Sequence, residues 1–212
     1  MKRGMLVALA FAGLATAAAA TWSGQIIGRP QQAVAPARSQ ADWGDKDRIF
    51  LSKAQLFQAQ AEGAIDRDVR SVLDVRKRMH YGDFVWNDRD VPKGQIWVRV
   101  DLESQLISVF RAGHEIGTAV ILYGADEKET PDGIFPIIAK IKDHKSATYG
   151  GAPMPYTLRL TQDGVAIHGS DVRWGRATHG CVGVPVEFAQ KLFGQVAKGD
   201  QVVIVSGNKG AA

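Results

Sequence analysis

The sequence predicts a mostly β domain preceded by a short helical extension. Over residues 94–206, short runs of β-branched and aromatic residues alternate with polar, glycine-containing turns, which is the pattern of consecutive strands. Over residues 46–93, apolar residues instead recur at the spacing of helices. With 45% hydrophobic and 23% charged residues, the composition is that of a globular protein.

Residues 1–20 have the pattern of a secretory signal peptide. Lys2 and Arg3 supply the positive start, residues 5–14 are apolar apart from glycine, and Ala18 and Ala20 offer a cleavage site. The apolar part is too short to span a bilayer comfortably, which takes about 20 residues. We therefore expect export and cleavage, with an uncleaved signal anchor as the alternative.

The next two segments differ in their predicted structure. Residues 21–45 are rich in small and polar residues and proline, as in a flexible linker. Residues 46–93 are expected to hold two helices that pack on the domain that follows. The first has its apolar positions at Phe50, Ala54 and Phe57 and ends near Gly63; the second is capped by Asp66 and has its apolar positions at Ile65, Val69, Val72, Leu73 and Met79.

Strands dominate the prediction for residues 94–206. They are expected at 96–100, 106–110, 119–123, 133–138, 156–160, 165–168 and 201–205. One helix is expected at 186–193, with Pro185 in its first turn. Residues 207–212 are expected to form a tail.

The charge of the chain limits the class of partner. The formal net charge is +4, and Arg76-Lys77-Arg78 is the densest run of basic residues. Such a mild charge favours weak attraction to an anionic envelope surface and gives no support for nucleic-acid binding.

The chain contains one cysteine, Cys181, in a sequence context typical of a reactive thiol. Gly180 and His179 precede it directly, and His168-Gly169 lies a short loop upstream. An exported protein with a single cysteine has no intramolecular disulfide partner for it in an oxidising compartment. We infer that the thiol does chemistry; the alternative is a buried, small apolar side chain.

A histidine base would make this thiol nucleophilic. A free cysteine has a pKa of about 8.5, so near neutral pH it needs a neighbouring imidazole to take its proton. His168 ends a predicted strand, and the 12 residues that follow it, 169–180, can return the chain to place Cys181 beside it. Gly180 leaves room for a substrate carbonyl, and the amides of Gly180 and Cys181 are suited to the developing oxyanion. The alternative for His168 is a structural histidine.

Metal binding is the weaker interpretation of the same residues. His168, His179 and Cys181 are all possible zinc ligands, but His-x-Cys is not a usual zinc pair and no fourth ligand lies nearby. We expect no metal. His80, His114 and His144 have no partners in the sequence pattern and are expected at the surface.

Four ordered motifs give the chain a family resemblance. They are His168-Gly169 followed by Thr178-His179-Gly180-Cys181-Val182, Thr130-Pro131-Asp132-Gly133-Ile134-Phe135, Met154-Pro155-Tyr156, and Gly199-Asp200-Gln201-Val202-Val203-Ile204. Together they resemble the L,D-transpeptidase (YkuD-type) catalytic domain over residues 94–206. The resemblance implies a β-sandwich catalytic domain and a periplasmic or cell-envelope location.

The resemblance also implies catalytic roles. Cys181 would be the nucleophile and His168 its base, with the main-chain carbonyl of Gly169 as the third partner. His179 would support the turn or the oxyanion.

Further residues would bind substrate. Tyr156, Arg173, Arg176 and Gly180 are assigned there, with an inward-facing core position as the alternative for Tyr156 and a solvated loop for the arginines. The chain departs from the family at Gly183, where Arg or Asn is usual, and the loop arginines are candidate replacements.

The implied activity is acyl transfer on peptidoglycan stem peptides, without cofactor or metal. Cys181 would attack the carbonyl of the third stem residue, expel the terminal D-alanine, and pass the thioester to an amine of a second stem or of a wall-attached protein. A carbapenem would acylate the same cysteine. Two alternatives remain open: an L,D-carboxypeptidase or hydrolase that uses water, and a non-catalytic wall-binding module.

Overall fold

Two sheets and two helices form the fold of the computed structural model, which describes residues 47–61, 67–124, 129–147, 150–171 and 180–206. In chain order, the elements are β1 (Arg48–Phe50), α1 (Lys53–Ala61), β2 (Ser71–Leu73), β3 (Phe84–Trp86), β4 (Ile96–Asp101), β5 (Leu106–Arg111), β6 (His114–Val120), β7 (Gly133–Pro136), β8 (Ala139–Lys145), β9 (Pro153–Arg159), β10 (Ala166–Gly169), β11 (Val182–Val184), α2 (Val186–Gln195) and β12 (Gln201–Val205). The predicted signal peptide, linker and tail lie outside the described residues.

The larger sheet contains eight strands in the order β1-β2-β6-β5-β4-β12-β7, with β3 also paired to β6. Strands β4, β5 and β6 form an antiparallel meander. Strand β12 lies between β4 and β7, parallel to β4 and antiparallel to β7. The last strand of the chain therefore occupies an interior position in the sheet.

The smaller sheet contains four strands in the order β11-β10-β9-β8. Strands β8, β9 and β10 are antiparallel neighbours, and β11 runs parallel to β10. The parallel register pairs Ile167 with Val182 and His168 with Gly183. Because side chains alternate along a strand, these two pairs point to opposite faces of the sheet.

The inner faces of the two sheets enclose the main core. The large sheet contributes Val98 and Ile107, the small sheet contributes Ile167 and Val182, and all four are at most 1% exposed. Burying a side chain of this size contributes roughly 1.5–3 kcal/mol to folding. This packing of sheet on sheet confirms the predicted mostly β sandwich.

Helix α2 packs into the same core. Its buried residues are Phe188, Ala189 and Leu192, and the Phe188 ring meets Trp86 edge to face with 5.5 Å between centroids. Pro185 is the N-cap, so the helix begins at the predicted residue but extends two residues beyond the predicted end.

The Trp86 ring requires a glycine on the neighbouring strand. Trp86 of β3 pairs with Gly117 of β6, and a Cβ atom at Gly117 would lie 2.3 Å from Trp86 Cε3. No side chain fits at that distance. The glycine in the middle of β6 is thus explained by close approach of the indole.

The segment before β4 covers part of the outer face of the large sheet. A second cluster there joins Trp97, Phe110 and Val203 to Leu51 and Leu56 from the N-terminal segment. The Trp97 and Phe110 rings stack with 4.3 Å between centroids. The expectation that this segment packs on the following domain is confirmed.

The prediction of two helices in residues 46–93 is wrong in its second half. Helix α1 is present, but Phe50, a predicted apolar position of that helix, lies in β1, and both Phe50 and Phe57 are exposed. The described part of the second predicted helix contains strand β2, which pairs with β1 and β6. Val69, Ser71 and Leu73 are buried at 1%, 0% and 6% exposure, which is the two-residue period of a strand. The polar Ser71 hides this period in the sequence. Gly63 and Asp66, the predicted end and cap, lie outside the described residues.

Among the predicted strands, those at 96–100, 106–110 and 201–205 are confirmed as β4, β5 and β12. The strand expected at 119–123 is displaced, since β6 ends at Val120; beyond it, Leu122 makes an isolated bridge to Gly183. Strands β1, β3, β8 and β11 are, like β2, additional to the prediction. In the described part of the chain, no helix has the length and apolar character needed to cross a membrane.

Candidate active site

A cleft of about 580 Å³ lies on the outer face of the small sheet. Strand β10 contributes Ala166 and His168 to the cleft lining, and Ser170 directly after the strand lines it too. Ile167, between Ala166 and His168, points into the core. Cys181, just before β11, lines the same cleft. The structure thus brings together the two residues that the sequence predicts as nucleophile and base.

His168 is held in one orientation by its own strand. The side chain is 8% exposed, and its Nδ1 lies 2.9 Å from the carbonyl oxygen of Gly169. A carbonyl can only accept a hydrogen bond, so Nδ1 carries the proton and Nε2 is left as the acceptor. The contact of Gly169 with the imidazole is thus made by its main-chain carbonyl, and its part in catalysis stays a prediction.

The surroundings of His168 favour its neutral form. Burial lowers the pKa of the imidazole below its ordinary value of 6.5, and nearby His144 lowers it further, while the hydrogen bond to Gly169 raises it. Burial is the largest of these effects. A neutral imidazole at neutral pH is able to take a proton from a thiol.

Cys181 is half-buried and directly precedes β11. Its Sγ donates a long hydrogen bond of 3.6 Å to the carbonyl oxygen of Gly164, in the turn that joins β9 and β10. Gly180 directly before it has a φ of +86°, a conformation that strongly favours glycine. This conformation accounts for a glycine at position 180, and the role of Gly180 in keeping space beside the sulfur stays a prediction.

Main-chain hydrogen bonds join Gly183, two residues after Cys181, to the segment that follows strand β6 of the large sheet. The Gly183 N–H donates to the carbonyl of Leu122 at 2.8 Å, and its carbonyl accepts from the Leu122 N–H at 2.9 Å. Because both main-chain groups are used, the backbone two residues after Cys181 is fixed. The position where the family usually has Arg or Asn is therefore a rigid strand position in this chain.

Tyr156 lies on the other side of strand β9 from the cleft. Its neighbour Thr157 lines the cleft, whereas the Tyr156 ring packs edge to face on Phe193 of α2 with 5.8 Å between centroids. Tyr156 has a φ of +56°, rare for a residue other than glycine. This placement matches the core alternative, and a role in substrate binding stays a prediction.

Three other predicted site residues, Arg173, Arg176 and His179, lie outside the described residues. Their assigned roles therefore remain predictions.

The cleft contains a histidine that the sequence pattern does not indicate. His144 of β8, expected at the surface, is half-buried and lines the cleft together with His168. Its position follows from the pairing of β8 with β9, where His144 is opposite Met154. Because β8 is not predicted from the sequence, no sequence signal could have placed His144 in the cleft.

Arg159 supports the turn that faces Cys181. Its guanidinium donates to the carbonyl oxygens of Thr161 at 3.1 Å and Gln162 at 2.6 Å. These bonds fix the turn that carries Gly164. Among the described residues, no group of three or more His, Cys, Asp or Glu side chains is placed to hold a metal ion.

The motif at 130–135 is structural in the described fold. Thr130 is buried and its Oγ1 accepts a hydrogen bond of 2.9 Å from the Gly124 N–H. Gly133, with a φ of +141°, begins β7, which pairs with β12. This motif fixes the edge of the large sheet, and its residues do not line the cleft of His168 and Cys181.

A known family matches more than half of the chain. The model of the YkuD family, described as an L,D-transpeptidase catalytic domain, matches residues 95–204. That range includes His168, Gly169 and Cys181 and more than half of the 212 residues. No protein of curated function matches the chain.

Solved structures show partial likeness. The Ldtfm–avibactam carbamoyl enzyme is 30% identical over 53% of this chain and 49% of its own, with a TM-score of 0.49. A mutant L,D-transpeptidase from Enterococcus faecium is 28% identical over 53% and 50%, with a TM-score of 0.48. An L,D-transpeptidase from Stackebrandtia nassauensis is 26% identical over 57% and 60%, with a TM-score of 0.49. The match spans about half the length of the first two.

Proposed function

Because this chain belongs to the YkuD family of L,D-transpeptidase catalytic domains, we propose that it transfers an acyl group from a peptidoglycan stem peptide to an amine through Cys181. The observation that carries the proposal is the shared cleft of Cys181 and His168, with the imidazole oriented by the Gly169 carbonyl. An activated thiol requires a nearby base and a group that orients this base, and His168 and the Gly169 carbonyl are suited to these two roles.

The first step is acylation of the thiol. Nε2 of neutral His168 takes the Sγ proton, and the sulfur attacks the carbonyl carbon of the third stem residue. The amides of Gly180 and Cys181 receive the oxyanion. When the tetrahedral intermediate collapses, the carbon–nitrogen bond to the terminal D-alanine breaks, and the imidazolium returns its proton to the leaving amine.

The second step releases the thioester. An amine from another stem peptide or a wall-attached protein attacks the same carbonyl carbon, His168 takes a proton from that amine, and the sulfur leaves as the thiolate. An amide bond replaces the thioester bond. If water attacks instead, the product is a free carboxylate and the enzyme is an L,D-carboxypeptidase.

The proposed location is the periplasm or cell envelope. It is supported by the signal-peptide pattern of residues 1–20, with its basic start, apolar stretch and alanine-rich end. Peptidoglycan lies on that side of the membrane. Secretion of the chain and the mass of the secreted form test this location directly.

The test of the reaction is mass spectrometry of a defined tetrapeptide muropeptide after incubation with the full chain. Loss of D-alanine together with a cross-linked dimer supports transpeptidation, whereas tripeptide alone identifies the carboxypeptidase. Cys181→Ala should give neither product. His80→Ala, which changes a histidine that does not line this cleft, should match wild type.

A second measurement separates an enzyme from a non-catalytic wall-binding module. Incubation with a carbapenem should add the mass of one drug molecule to the wild-type chain and none to Cys181→Ala. A wild-type chain that gains no mass and turns over no muropeptide would contradict the proposed function.

A further inference from the structure

A second cavity, of about 610 Å³, lies between the large sheet and the segment that follows β2. Strands β5 and β6 provide its floor, and residues 77–81 are part of its rim. The volume falls in the range of about 300–1,000 Å³ that small-molecule sites occupy. The proposed acyl transfer uses no residue of this cavity.

The second cavity and the Cys181 cleft are on opposite outer faces of the sandwich. Ile107 and Ala119 are cross-strand partners that point into the core between the sheets. Their neighbours Ser108 and Thr118, also partners, line the second cavity on the other face of the large sheet. A ligand in the second cavity is therefore separated from Cys181 by the full thickness of the core.

The floor of this cavity offers uncharged hydrogen-bonding groups. Ser108 and Thr118 supply hydroxyls beside Glu115. The Glu115 carboxyl is buried, accepts a hydrogen bond of 2.8 Å from the Leu73 N–H, and bonds the Ser108 side chain. Burial raises the pKa of Glu115, which favours its neutral form. Such a floor suits a ligand with hydroxyl or amide groups.

The rim is basic and carries an exposed aromatic ring. Lys77, Arg78 and His80 are exposed and line the cavity. Tyr81 is 38% exposed, and its hydroxyl donates to Gln105 Oε1 at 3.0 Å, which holds the ring in place. An aromatic face packs against the apolar face of a sugar ring, and the basic side chains attract a carboxylate.

We propose that this cavity binds an acidic sugar of a glycan strand, an N-acetylmuramic acid unit whose stem peptide has been removed and whose carboxylate is therefore free. Its hydroxyl and acetamido groups would lie on the polar floor, its ring against Tyr81 and its carboxylate at Lys77 and Arg78. The choice of a peptidoglycan glycan rests on the proposed function, whereas the site itself is defined by its own residues. A strand bound there would hold the enzyme on the wall while the Cys181 cleft acts on a different stem peptide.

The test measures binding of peptide-free glycan, built of alternating N-acetylglucosamine and N-acetylmuramic acid, to the full chain carrying Cys181→Ala. Calorimetry should detect binding, and adding Lys77→Gln and Arg78→Gln should weaken it by about tenfold or more, as expected for lost charge-assisted bonds. Tyr81→Ala should weaken it as well. The control pair Lys53→Gln and Lys198→Gln removes the same charge away from the cavity and should leave binding unchanged.

Two ligands test the recognition of an acidic sugar. A neutral oligosaccharide of N-acetylglucosamine alone should bind about tenfold more weakly or worse, because it lacks the carboxylate. Inorganic phosphate should not displace the glycan at equal concentration. Equal binding of the neutral oligosaccharide, full displacement by phosphate, or unchanged glycan binding in the Lys77 and Arg78 variant would each overturn the proposal.

The two proposals fail in different ways. With Cys181 present, Lys77→Gln and Arg78→Gln should leave turnover of a small tetrapeptide unchanged and reduce turnover of wall from which an amidase has removed part of the stem peptides. Absence of tetrapeptide turnover in the wild type contradicts the proposed function alone. Equal turnover of the amidase-treated wall by the wild type and the variant contradicts the second site alone.

Discussion

His168 and Gly183 are directly paired in the parallel ladder between β10 and β11. Ladder partners point to the same face of a sheet, so a side chain at position 183 would be on the face that carries the His168 imidazole. Gly183 is buried, and its two hydrogen bonds with Leu122 fix the backbone there. The departure from the family pattern is thus located next to the proposed base.

We predict that Gly183→Asn places a side chain on the face of the small sheet that carries His168, where it hinders the entry of a bulky acceptor amine. Transfer to a bulky stem amine should fall by roughly tenfold relative to transfer to a small amine, equivalent to about 1.4 kcal/mol. Mass spectrometry of products formed with both acceptors present measures this ratio. Gly194→Asn is the control, because Gly194 has open space around it on the exposed side of α2. An unchanged ratio in Gly183→Asn would show that position 183 does not limit the acceptor.

His168→Ala should slow acylation of Cys181 by about 10² to 10⁴, the usual contribution of a general base. His179→Ala should slow it less, since its expected role is supportive. Stopped-flow measurement of carbapenem acylation gives both rates. A more severe defect in His179→Ala would reverse the assignment of the base.

The lowered pKa of His168 predicts the acidic limb of the pH profile. The base must be neutral, so kcat/KM should fall as pH falls through the folded-state pKa, which lies below the ordinary 6.5. His144 contributes to this lowering. His144→Gln should therefore move the acidic limb to higher pH without changing the plateau. A limb that does not move, or moves to lower pH, would contradict this coupling.

The buried Glu115 predicts a second pH dependence, this time of stability. Burial raises its pKa above the ordinary 4.5, so the folded state holds the proton more tightly than the unfolded state. Its stabilising contribution is complete below that value and is lost as pH rises through the folded pKa. The glutamine in Glu115→Gln cannot titrate. The free energy of unfolding of the variant, relative to that of the wild type, should therefore be higher at pH 8 than at pH 4.5.

Urea unfolding at the two pH values measures the difference for Glu115→Gln. Glu103→Gln serves as its control, because Glu103 is exposed in the turn between β4 and β5. A gain of the same size in both variants would mean that general charge, and not burial at position 115, causes the effect.

Arg173 and Arg176 provide a test of substrate recognition. Stem peptides carry free carboxylates, which a guanidinium binds with two parallel hydrogen bonds. Loss of such a contact costs about 1.5–3 kcal/mol, so Arg173→Ala or Arg176→Ala should lower kcat/KM on a tetrapeptide by one to two decades. The rate of carbapenem acylation should stay the same. Wild-type kinetics in both single variants and the double variant would assign these arginines to solvated surface.

Strands were predictable from the sequence where both faces of the strand are largely buried. β4, β5 and β12 have long β-branched runs because they lie inside the large sheet. β8 lies at the edge of the small sheet and carries Lys140, Lys142 and Lys145, a composition that protects edges but conceals the strand period. β11 is only three residues long and contains a glycine.

The site residues also differ in how far the sequence predicts them. Cys181, His168 and Gly169 are recognisable because the motifs that carry them are local in sequence, and the family match confirms the resemblance drawn from those motifs. His144 reaches the cleft only through the pairing of β8 with β9. The second cavity likewise depends on a segment, residues 73–81, that the sequence pattern assigns in part to a helix. Positions set by tertiary pairing leave no mark in a local pattern.

The interior position of β12 has a consequence for how the chain reaches its fold. Trp97 of β4 pairs with Gln201, about a hundred residues later in the chain. Contacts this distant in sequence form late and slow the search for the native state. Before β12 pairs with them, β4 and β7 have unpaired edges that can pair with strands of other molecules. The apolar residues Val98 and Val100 belong to the β4 edge. The incomplete chain is therefore the aggregation-prone species, and loss of residues 201–205 should produce inclusion bodies instead of a weakened enzyme.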